Sequence, residues 1–392
     1  AVTADGVPLV LLRDPAGAPV AWLDRCPHRL VPLSAGSPGA GVLRCAYHGW
    51  AFAPDGRCVD LPSQEPGSAV PPRAHLPAGP SVREDAGTIW VRRDDLTALP
   101  VAEPGELLSN VDEGLLAAWH PVALSSEVTD EPRVVRLVGR EWTVRRDTGG
   151  VRAHPGCHGL CERWGVVWLA PQAPLVPLFD EPDAEDAAYV GAWLPPARTP
   201  APAGIVADNF LDVAHFPFVH AGTFGAGEEW VVPPYRVTAE PDGCRSVQEQ
   251  WFDNPGDPGV AAGLRPVRQR RRATYVYRAP FQLLLRLAEL DAGAVKTILF
   301  FVQPEDRDSS RIYTKMLLHG IGGVDRPGPD VVAREVAFEE AVLAEDLALQ
   351  RRMRLPGLPL RPRDELHVRA DRLGVALRRE LRRFAASATV PP

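Results

Sequence analysis

Four potential metal ligands near the start of the chain constrain its fold more than any other feature of the sequence. They lie in the segments CPHR and CAYHGW and are Cys26, His28, Cys45 and His48. Two thiolates and two imidazoles can bind one zinc ion, or a [2Fe–2S] cluster in which two histidines replace two cysteines on one iron. Either site requires two short loops that face each other, and Pro27 and Gly49 suit such tight loops.

The composition excludes several classes of protein. The chain has 392 residues, 45% of them apolar, which is enough for two or three folded domains. A net charge of −7 argues against nucleic-acid binding. No apolar run reaches the roughly 20 residues that span a membrane, and no signal peptide is visible. Six cysteines are too few for a disulfide framework, so we expect a cytoplasmic protein.

The local basic run Arg268, Arg270, Arg271 and Arg272 is predicted to be a solvated loop or strand end.

The residues around the four ligands favour the iron–sulfur alternative. Cys-Pro-His-Arg followed by Cys-x-Tyr-His-Gly-Trp is richer than a zinc pattern, and it resembles the Rieske [2Fe–2S] domain. The resemblance implies an all-β domain over residues 1–100. It also implies that Cys26 and Cys45 bind the inner iron of the cluster, and that His28 and His48 bind the outer one.

A second group of polar residues occurs in the segment DNFLDVAHFPFVH. Asn209, Asp212 and His215 are spaced three apart and would share one broad face of a helix. Pro217 interrupts the helical hydrogen bonds, which can bring His220 to the same point as His215. Two histidines and a carboxylate form the facial triad of non-haem iron enzymes. The spacing alone would fit a structural histidine pair about as well.

Together, the two motifs resemble the Rieske non-haem iron oxygenases of the α-subunit type. The resemblance implies an α+β chain whose residues 173–392 form a catalytic domain, with a helix-grip-like antiparallel sheet and helices that carry a mononuclear Fe(II). It implies His215 and His220 as iron ligands, Asn209 beside them, and Asp212 as the electron bridge. It further implies a homotrimer in which Asp212 meets His48 of a neighbouring subunit.

The carboxylate ligand of the iron is expected on a late helix. Residues 338–353 have apolar residues at helical spacing and carry an adjacent Glu-Asp pair. Similar proteins use an aspartate at such a pair, so Asp346 is the predicted ligand. Glu345, Glu339 and Glu340 are rivals, and a solvated acidic helix face is the alternative without a metal.

A degenerate repeat is predicted between the two motifs. EDAGTIW at 84–90 matches ERWGVVW at 162–168, and RDPAG at 13–17 matches RDTGG at 146–150. The second pair of anchors lacks the intervening stretch that carries all four ligands in the first. Residues 101–172 are therefore predicted to be a truncated Rieske-like β domain without a cluster.

The remaining cysteines and histidines are interpreted as structural. Four of them lie within eight positions, namely His154, Cys157, His158 and Cys161. This spacing leaves no room for two loops that face each other across a metal site. We expect no metal there, and a small zinc site is the alternative. Cys58, Cys244, His319 and His367 are also assigned structural roles. Residues 273–287 and 296–306 are predicted to be strands, and residues 360–384 a closing amphipathic helix.

The resemblance implies a terminal oxygenase. Electrons would pass from the cluster to the mononuclear iron, where O₂ is activated to hydroxylate, demethylate or oxidatively cyclise a small aromatic or polycyclic substrate. Monooxygenation is favoured over dioxygenation. The chain has no dinucleotide fingerprint or plant-type Cys₄ spacing, so a separate reductase, and possibly a ferredoxin, must supply electrons. An electron-transfer subunit without oxygenase chemistry is the alternative.

Overall fold

The N-terminal part of the chain consists of short antiparallel strands. The computed structural model describes residues 1–97, 106–227 and 229–388. The first strands and helix are β1 (Val2–Ala4), β2 (Val7–Arg13), β3 (Pro19–Leu23), β4 (Ser37–Gly39), β5 (Val42–Arg44), β6 (Ala51–Phe52), β7 (Cys58–Asp60), β8 (Val82–Asp85), β9 (Thr88–Val91) and α1 (Arg93–Thr97). They form the sheets β1-β2-β3 and β4-β5-β6-β7 and the hairpin β8-β9. The loops β3–β4 and β5–β6 carry the four ligands.

A second β region follows. Its strands are β10 (Leu107–Leu108), β11 (His120–Leu124), β12 (Arg133–Leu137), β13 (Arg140–Asp147), β14 (Gly150–His154), β15 (Gly159–Arg163) and β16 (Val166–Ala170). The sheets are β12-β13-β14 and β11-β16-β15. Only residues 155–158 connect β14 to β15, whereas residues 24–81, with both ligand loops, connect β3 to β8.

The anchors of the predicted repeat are paired in the same way in both regions. Arg13 forms a two-bond ion pair with Glu84, with a shortest distance of 2.7 Å, and Arg146 forms one with Glu162 at 2.6 Å. Each glutamate lies in the first strand of a hairpin, and the turn of each hairpin has two successive residues with positive φ. These are Ala86 and Gly87 in the first region, and Trp164 and Gly165 in the second.

The C-terminal part is one large antiparallel sheet with helices. Its elements are β17 (Val190–Trp193), β18 (Ala197–Thr199), α2 (Ala203–Phe210), α3 (Phe216–Val219), β19 (Val237–Glu240), β20 (Gly243–Asp253), α4 (Pro258–Ala261), β21 (Arg268–Arg278), β22 (Gln282–Glu289), β23 (Val295–Asp306), β24 (Ser309–His319), α5 (Pro329–Gln350), β25 (Leu358–Pro359) and α6 (Arg372–Ala388). The sheet order is β17-β24-β23-β22-β21-β20-β19, with β18 also on β24 and β25 paired with β10. The α+β class is confirmed.

Local details differ from the sequence-based expectation. The stretch 273–287 forms parts of two strands, because the chain turns at Pro280 between β21 and β22. The closing helix covers only 372–388. The residues before it contain Pro362, which cannot donate a helical hydrogen bond, and they form short 3₁₀ turns instead. Within the described residues, no helix is long and apolar enough to cross a membrane.

Candidate metal centres and the contact between them

The two cysteine–histidine loops have the same backbone geometry. In each loop the N–H of the cysteine donates to the carbonyl five residues on, and the N–H four residues on donates back to the cysteine carbonyl, at 2.9–3.1 Å. The fourth position after each cysteine has a positive φ, 57° at Leu30 and 67° at Gly49. A side chain at Gly49 would also collide with the ring of Phe218, 2.1 Å from an ideal Cβ. Leucine adopts this conformation in the first loop, so it is the Phe218 ring that restricts the position in the second loop to glycine.

The four predicted cluster ligands come together in the interior. The side chains of Cys26, Cys45, His28 and His48 are all buried. The two imidazole centroids are 4.3 Å apart, and Trp50 stacks on His28 at 4.4 Å. Nδ1 of His28 is buried without a hydrogen-bond partner. A hydrogen bond with Cys26 lowers the pKa of Cys45 to about 7, which favours a thiolate. Two thiols, two imidazoles and an orphaned ring nitrogen fit a [2Fe–2S] cluster.

Each of these histidines is bound through its other nitrogen to a buried carboxylate. Nε2 of His48 lies 2.8 Å from Oδ2 of Asp212. Nε2 of His28 lies 3.0 Å from both carboxylate oxygens of Asp371. A carboxylate near Nε2 accepts a hydrogen bond from Nε2–H, which keeps the proton on Nε2 and leaves the Nδ1 lone pair available for a metal.

The segment that carries Asp212 is not the continuous helix that its spacing suggested. Helix α2 contains Asn209 but ends at Phe210. Asp212 lies in the turn that follows, where its Oδ1 accepts a hydrogen bond from the N–H of Ala214 at 2.8 Å. Such local side-chain bonds compete with helical hydrogen bonding. His215 and His220 flank the short helix α3, which has a proline in its first turn.

His215 and His220 converge on Asp346 of α5. Nε2 of His215 is 3.1 Å from Nε2 of His220, and Oδ1 of Asp346 is 3.4 Å from each. Three ligand atoms at right angles around an ion, each about 2.1 Å from it, are about 3 Å apart. The Asp346 oxygen is buried and has no hydrogen-bond partner. Within the described residues, no other three such side chains bring their ligand atoms this close. The group fits a mononuclear iron.

The rival acidic residues have other contacts. Oε2 of Glu345 lies 2.9 Å from Nδ1 of His220 and accepts a hydrogen bond from the hydroxyl of Thr223 at 2.8 Å. Glu345 therefore orients the ring whose Nε2 faces Asp346. Glu339 pairs with Lys296 at 3.0 Å, and Glu340 is exposed.

The charges around His215 favour a cation at this point. Burial lowers the pKa of His215, but Asp212 and Asp346 outweigh burial and raise the pKa to about 9. Nδ1 of His215 is 3.7 Å from Oδ1 of Asp212, which is longer than a hydrogen bond but close enough for strong attraction. Asp212 therefore lies between a predicted cluster ligand, His48, and a predicted iron ligand, His215.

Asn209 takes part in a second contact between the two centres. Its Nδ2 donates to the hydroxyl of Tyr47 at 3.1 Å, and its Oδ1 accepts from Gln350 at 2.9 Å. The ring of Tyr47 lies between the imidazoles of His48 and His215, with centroid distances of 4.0 and 5.8 Å. Neither Tyr47 nor Gln350 was singled out from the sequence, although Tyr47 is part of the CAYHGW motif.

Asp371 and its buried ion-pair network were also missed. Arg29 lies 3.1 Å from Asp371 and 3.5 Å from Asp208. Arg378 of α6 lies 2.6 Å from both Asp208 and Glu365. Arg29 directly follows His28 in the sequence, which was a usable signal, but nothing in the sequence marks Asp371. His367, assigned a structural role, accepts a hydrogen bond from Arg29 at 2.8 Å.

The contact between the two centres is formed within one chain. This differs from the expectation that His48 would come from a neighbouring subunit. In the structure the cluster loops of the N-terminal part pack directly on α2, α3 and the start of α6 of the same chain. The segment 98–105, which connects the two parts, lies outside the described residues.

A cavity of about 280 Å³ opens next to His215, His220 and Asp346. Apolar and aromatic side chains from α2, α3, α5 and the sheet line most of it, including Leu194, Phe210, Phe216, Phe224, Leu285, Phe300 and Leu343. Its volume is near the lower end of the range for small-molecule sites, which suits a substrate of one or two rings.

The cysteines of the second β region lie apart from these centres. Cys157 is in the β14–β15 connection, where its Sγ donates to the carbonyl of Gly159 at 3.3 Å. Cys161 is on β15, and His154 and His158 are exposed. The interpretation of this group as metal-free stays a prediction.

Comparison with known proteins shows the family. The Rieske [2Fe-2S] domain family matches residues 1–78, and the C-terminal domain family of vanillate O-demethylase oxygenase matches residues 199–387. The probable methylxanthine N7-demethylase NdmC of Pseudomonas sp. (strain TJI-51) is 31% identical over 284 residues, which are 67% of this chain and 92% of that protein. The 3-chlorobenzoate-3,4-dioxygenase oxygenase subunit of Comamonas testosteroni is 40% identical over 104 residues, 26% of this chain and 24% of that protein.

Two solved structures are similar over most of the chain. NdmA of Pseudomonas putida CBB5 with theobromine (QL mutant) covers 100% of this chain and 88% of its own, at 19% identity and a TM-score of 0.45. Dicamba monooxygenase bound to 3,6-dichlorosalicylic acid covers 99% and 93%, at 16% identity and a TM-score of 0.46.

The chain belongs to the Rieske non-haem iron oxygenases. It is an oxidoreductase whose cofactors are a Rieske [2Fe–2S] cluster and a non-haem iron. Oxygenases of this family work with an electron-donating reductase or ferredoxin, and the chain also matches the oxidoreductase NdmD of Pseudomonas putida over 126 residues. The alternative of an electron carrier without oxygenase chemistry is not favoured, because the relatives oxidise aromatic and heterocyclic compounds.

Proposed function

We propose that the protein is a monooxygenase that removes a methyl group from a nitrogen or oxygen atom of a small aromatic or heteroaromatic substrate. The observation that carries this proposal is the largely apolar cavity, with several phenylalanines, next to His215, His220 and Asp346. These three residues lie in the part of the chain that matches the C-terminal domain of vanillate O-demethylase oxygenase. The relative NdmC is a probable N7-demethylase. The substrate methyl group, O₂, two electrons and two protons would give the demethylated product, formaldehyde and water.

The proposed ligands divide into two sets. Cys26, Cys45, His28 and His48 would hold the cluster, and His215, His220 and Asp346 the iron. When bound, the cluster supplies electrons one at a time, and the iron supplies open positions for O₂. Glu345 accepts a hydrogen bond from Nδ1–H of His220, which keeps the Nε2 lone pair of His220 on the side of Asp346.

Asp212 is the proposed route between the two sets. One carboxylate oxygen accepts a hydrogen bond from Nε2–H of His48, and the other attracts Nδ1 of His215 electrostatically. A single carboxylate thus orients the histidine of one set and lies against a histidine of the other. Asn209 and Tyr47 hold the same two segments together beside it. The apolar cavity walls exclude water from the reacting end of the substrate.

We propose that the functional assembly is a homotrimer in which the same faces meet between neighbouring chains. Exchange of an identical part between subunits keeps every contact described above, because the residues on both sides are unchanged. A mixed trimer tests this. Chains with His48→Ala, mixed with chains with His215→Ala, should regain partial activity. No recovery in a verified mixed trimer would mean that transfer stays within one chain, as the contact is formed here.

The domain limits 1–100, 101–172 and 173–392 are part of the proposal. The matching Arg13–Glu84 and Arg146–Glu162 pairs, and the matching hairpin turns, support a second Rieske-like scaffold between the other two domains. The six cysteines form no disulfide in the part of the chain that the structure describes. They suit a reducing compartment, and we place the protein in the cytoplasm.

Product analysis tests the reaction type. The purified protein, with a reductase and NADH, is supplied with ¹⁸O₂ and with theobromine, caffeine or vanillate as probes. The proposal predicts formaldehyde in equal amount to the substrate consumed, and a demethylated product that carries no ¹⁸O, because one oxygen atom of O₂ leaves in formaldehyde and the other in water. A product that keeps its methyl group and carries both atoms of one O₂ molecule would show a dioxygenase instead.

A further inference from the structure

The basic run at the start of β21 is not uniformly solvated, because alternate residues of a strand face opposite sides. Arg268, Arg270 and Arg272 lie on the outer face and pair with exposed acidic residues, such as Glu249 with Arg272 at 2.6 Å. Arg271 lies on the other face, is half-buried and lines the cavity. The expectation of a solvated run was wrong for this one residue.

Arg271 is the centre of a polar row across three strands. Gln250 of β20 lies directly opposite Arg271, and Glu289 of β22 lies directly opposite it on the other side. Side chains at such positions are about 5 Å apart at Cβ. All three line the cavity. With its amide oxygen turned toward Arg271, Gln250 accepts hydrogen bonds from the guanidinium. The ring of Phe252 lies 4.8 Å from the guanidinium carbon.

The charges at this end of the cavity are compensated by the protein itself. Burial raises the pKa of Glu289, and the nearby amide of Asn254 and the cations Lys296 and Arg271 act in the opposite direction. Lys296 is held between two glutamates of α5, at 2.6 Å from Glu335 and 3.0 Å from Glu339.

Asp253, which follows the cavity residue Phe252, lies 3.7 Å from Arg268 of the outer face. A carboxylate substrate would therefore bring an extra negative charge into a region whose cations are already paired with carboxylates of the protein. Burying a charge without a new partner is costly.

We infer that the row Gln250–Arg271–Glu289 recognises an uncharged heteroaromatic ring that carries a carbonyl group next to a ring N–H. Arg271 and Gln250 offer N–H donors to the carbonyl, and Glu289 accepts from the ring N–H. The row is neutral overall and presents both donors and an acceptor, which complements such an edge. This inference narrows the proposed function, because it supplies the substrate class for the same cavity.

The cavity walls agree with a flat ring. Phe252 lies under Arg271 at the polar end, and Phe300 and Phe210 stack on each other at 4.5 Å near the metal-binding end. A ring held by its polar edge would lie between these aromatic side chains, with its opposite edge toward His215 and His220. A volume of about 280 Å³ leaves room for few further substituents.

Equilibrium binding without O₂ or reductase tests the inference, using theobromine, caffeine and vanillate as probes. Theobromine has a ring N–H between two carbonyls, caffeine has a methyl group on that nitrogen, and vanillate is a carboxylate. Theobromine should bind about tenfold more tightly than caffeine, because the methylated ring nitrogen of caffeine cannot donate a hydrogen bond to Glu289. Vanillate should bind more weakly than either.

Two pairs of variants locate the effect. Glu289→Leu should bring the theobromine-to-caffeine affinity ratio close to one, whereas Glu249→Leu on the outer face should leave it unchanged. Arg271→Leu should weaken both xanthines, and the outer-face control Arg272→Leu neither. The visible spectrum of the cluster verifies folding. If Glu289→Leu is unstable, the double variant Arg271→Leu/Glu289→Leu keeps the net charge and should also lose the ratio.

Two outcomes would overturn the inference. One is a parent protein that binds vanillate at least as tightly as theobromine and loses that binding in Arg271→Leu. The other is a theobromine-to-caffeine ratio that Glu289→Leu does not change. Failure of the proposed demethylation can be told apart from failure of this inference, because the binding assay involves no turnover. Theobromine binding without formaldehyde release would contradict demethylation alone, and vanillate demethylation without theobromine binding would contradict this inference alone.

Discussion

The two histidines of the cluster motif, His28 and His48, each contact a buried carboxylate, but the two carboxylates have different neighbours on their other side. Asp212, beside His48, has His215 on its other side, so it lies between two proposed metal sites. Asp371, beside His28, has Arg29 on its other side. From there the contacts continue into the ion-pair network of Asp208, Arg378 and Glu365.

The different neighbours of the two carboxylates indicate different roles: Asp212 suits electron transfer, and Asp371 suits anchoring of the N-terminal part. Both carboxylates can orient a histidine and increase its basicity. Only Asp212 joins two ligand sets, so only its loss should interrupt electron transfer. Asp371 belongs to a network of fully buried charges, and breaking such a network costs several kcal/mol by leaving charges unpaired. Its loss should therefore act mainly on stability and on the position of the N-terminal part.

Asp212 can connect two metal sites only if a metal is bound on each side of it, so we expect the largest effect in the metal content. The parent protein should contain about three irons and two acid-labile sulfides per chain. His215→Ala or Asp346→Ala should lose the single iron completely and keep both sulfides, whereas Glu345→Gln should retain most of it. Five irons and four sulfides would place a second cluster at Cys157 and Cys161, and Cys157→Ala would then change the visible spectrum.

Stability should separate the two carboxylates next. Asp371→Asn removes the charge that compensates Arg29, and we expect it to lower the free energy of unfolding by on the order of 3 kcal/mol. Denaturant unfolding followed by tryptophan fluorescence measures this loss. Asp371→Glu keeps the charge and should recover part of it. If Asp371→Asn were as stable as the parent, the network would not anchor the N-terminal part.

The pH dependence should show a smaller effect of the same charges. Burial opposes ionisation, yet the neighbouring cation Arg29 and the histidine contact hold the pKa of Asp371 well below its ordinary value of 3.8. A folded-state pKa below the unfolded one contributes stability above pH 3.8, and this stability is lost as the pH falls below it. The free energy of unfolding should therefore decrease below about pH 4. The decrease should be shallower in Asp371→Asn, and an equal slope in the two proteins would contradict this assignment.

The sequence predicted the local parts of the site better than the distant ones. Cys26 and His28, like Cys45 and His48, are close in the chain, so short loops suffice to bring each pair together. His28 and Asp371 are 343 residues apart, and no sequence pattern connects them. The helix expected through Asn209 and Asp212 failed because the Asp212 side chain bonds the backbone of its own turn. The basic run was expected to be solvated throughout, but the alternation of side chains along a strand places Arg271 on the cavity side.

We propose that Asp212 connects the two metal sites and that Asp371 does not. The most direct measurement is a single turnover, in which the cluster is reduced first, the reductase is removed, and O₂ is added with theobromine or vanillate, whichever the parent oxidises. In Asp212→Asn the cluster should be reduced as in the parent, but the rates of cluster reoxidation and product formation should fall by at least about a hundredfold. Asp371→Asn, measured where it is folded, should stay within about tenfold of the parent. Equal losses in both variants, or normal turnover in Asp212→Asn, would contradict the claim.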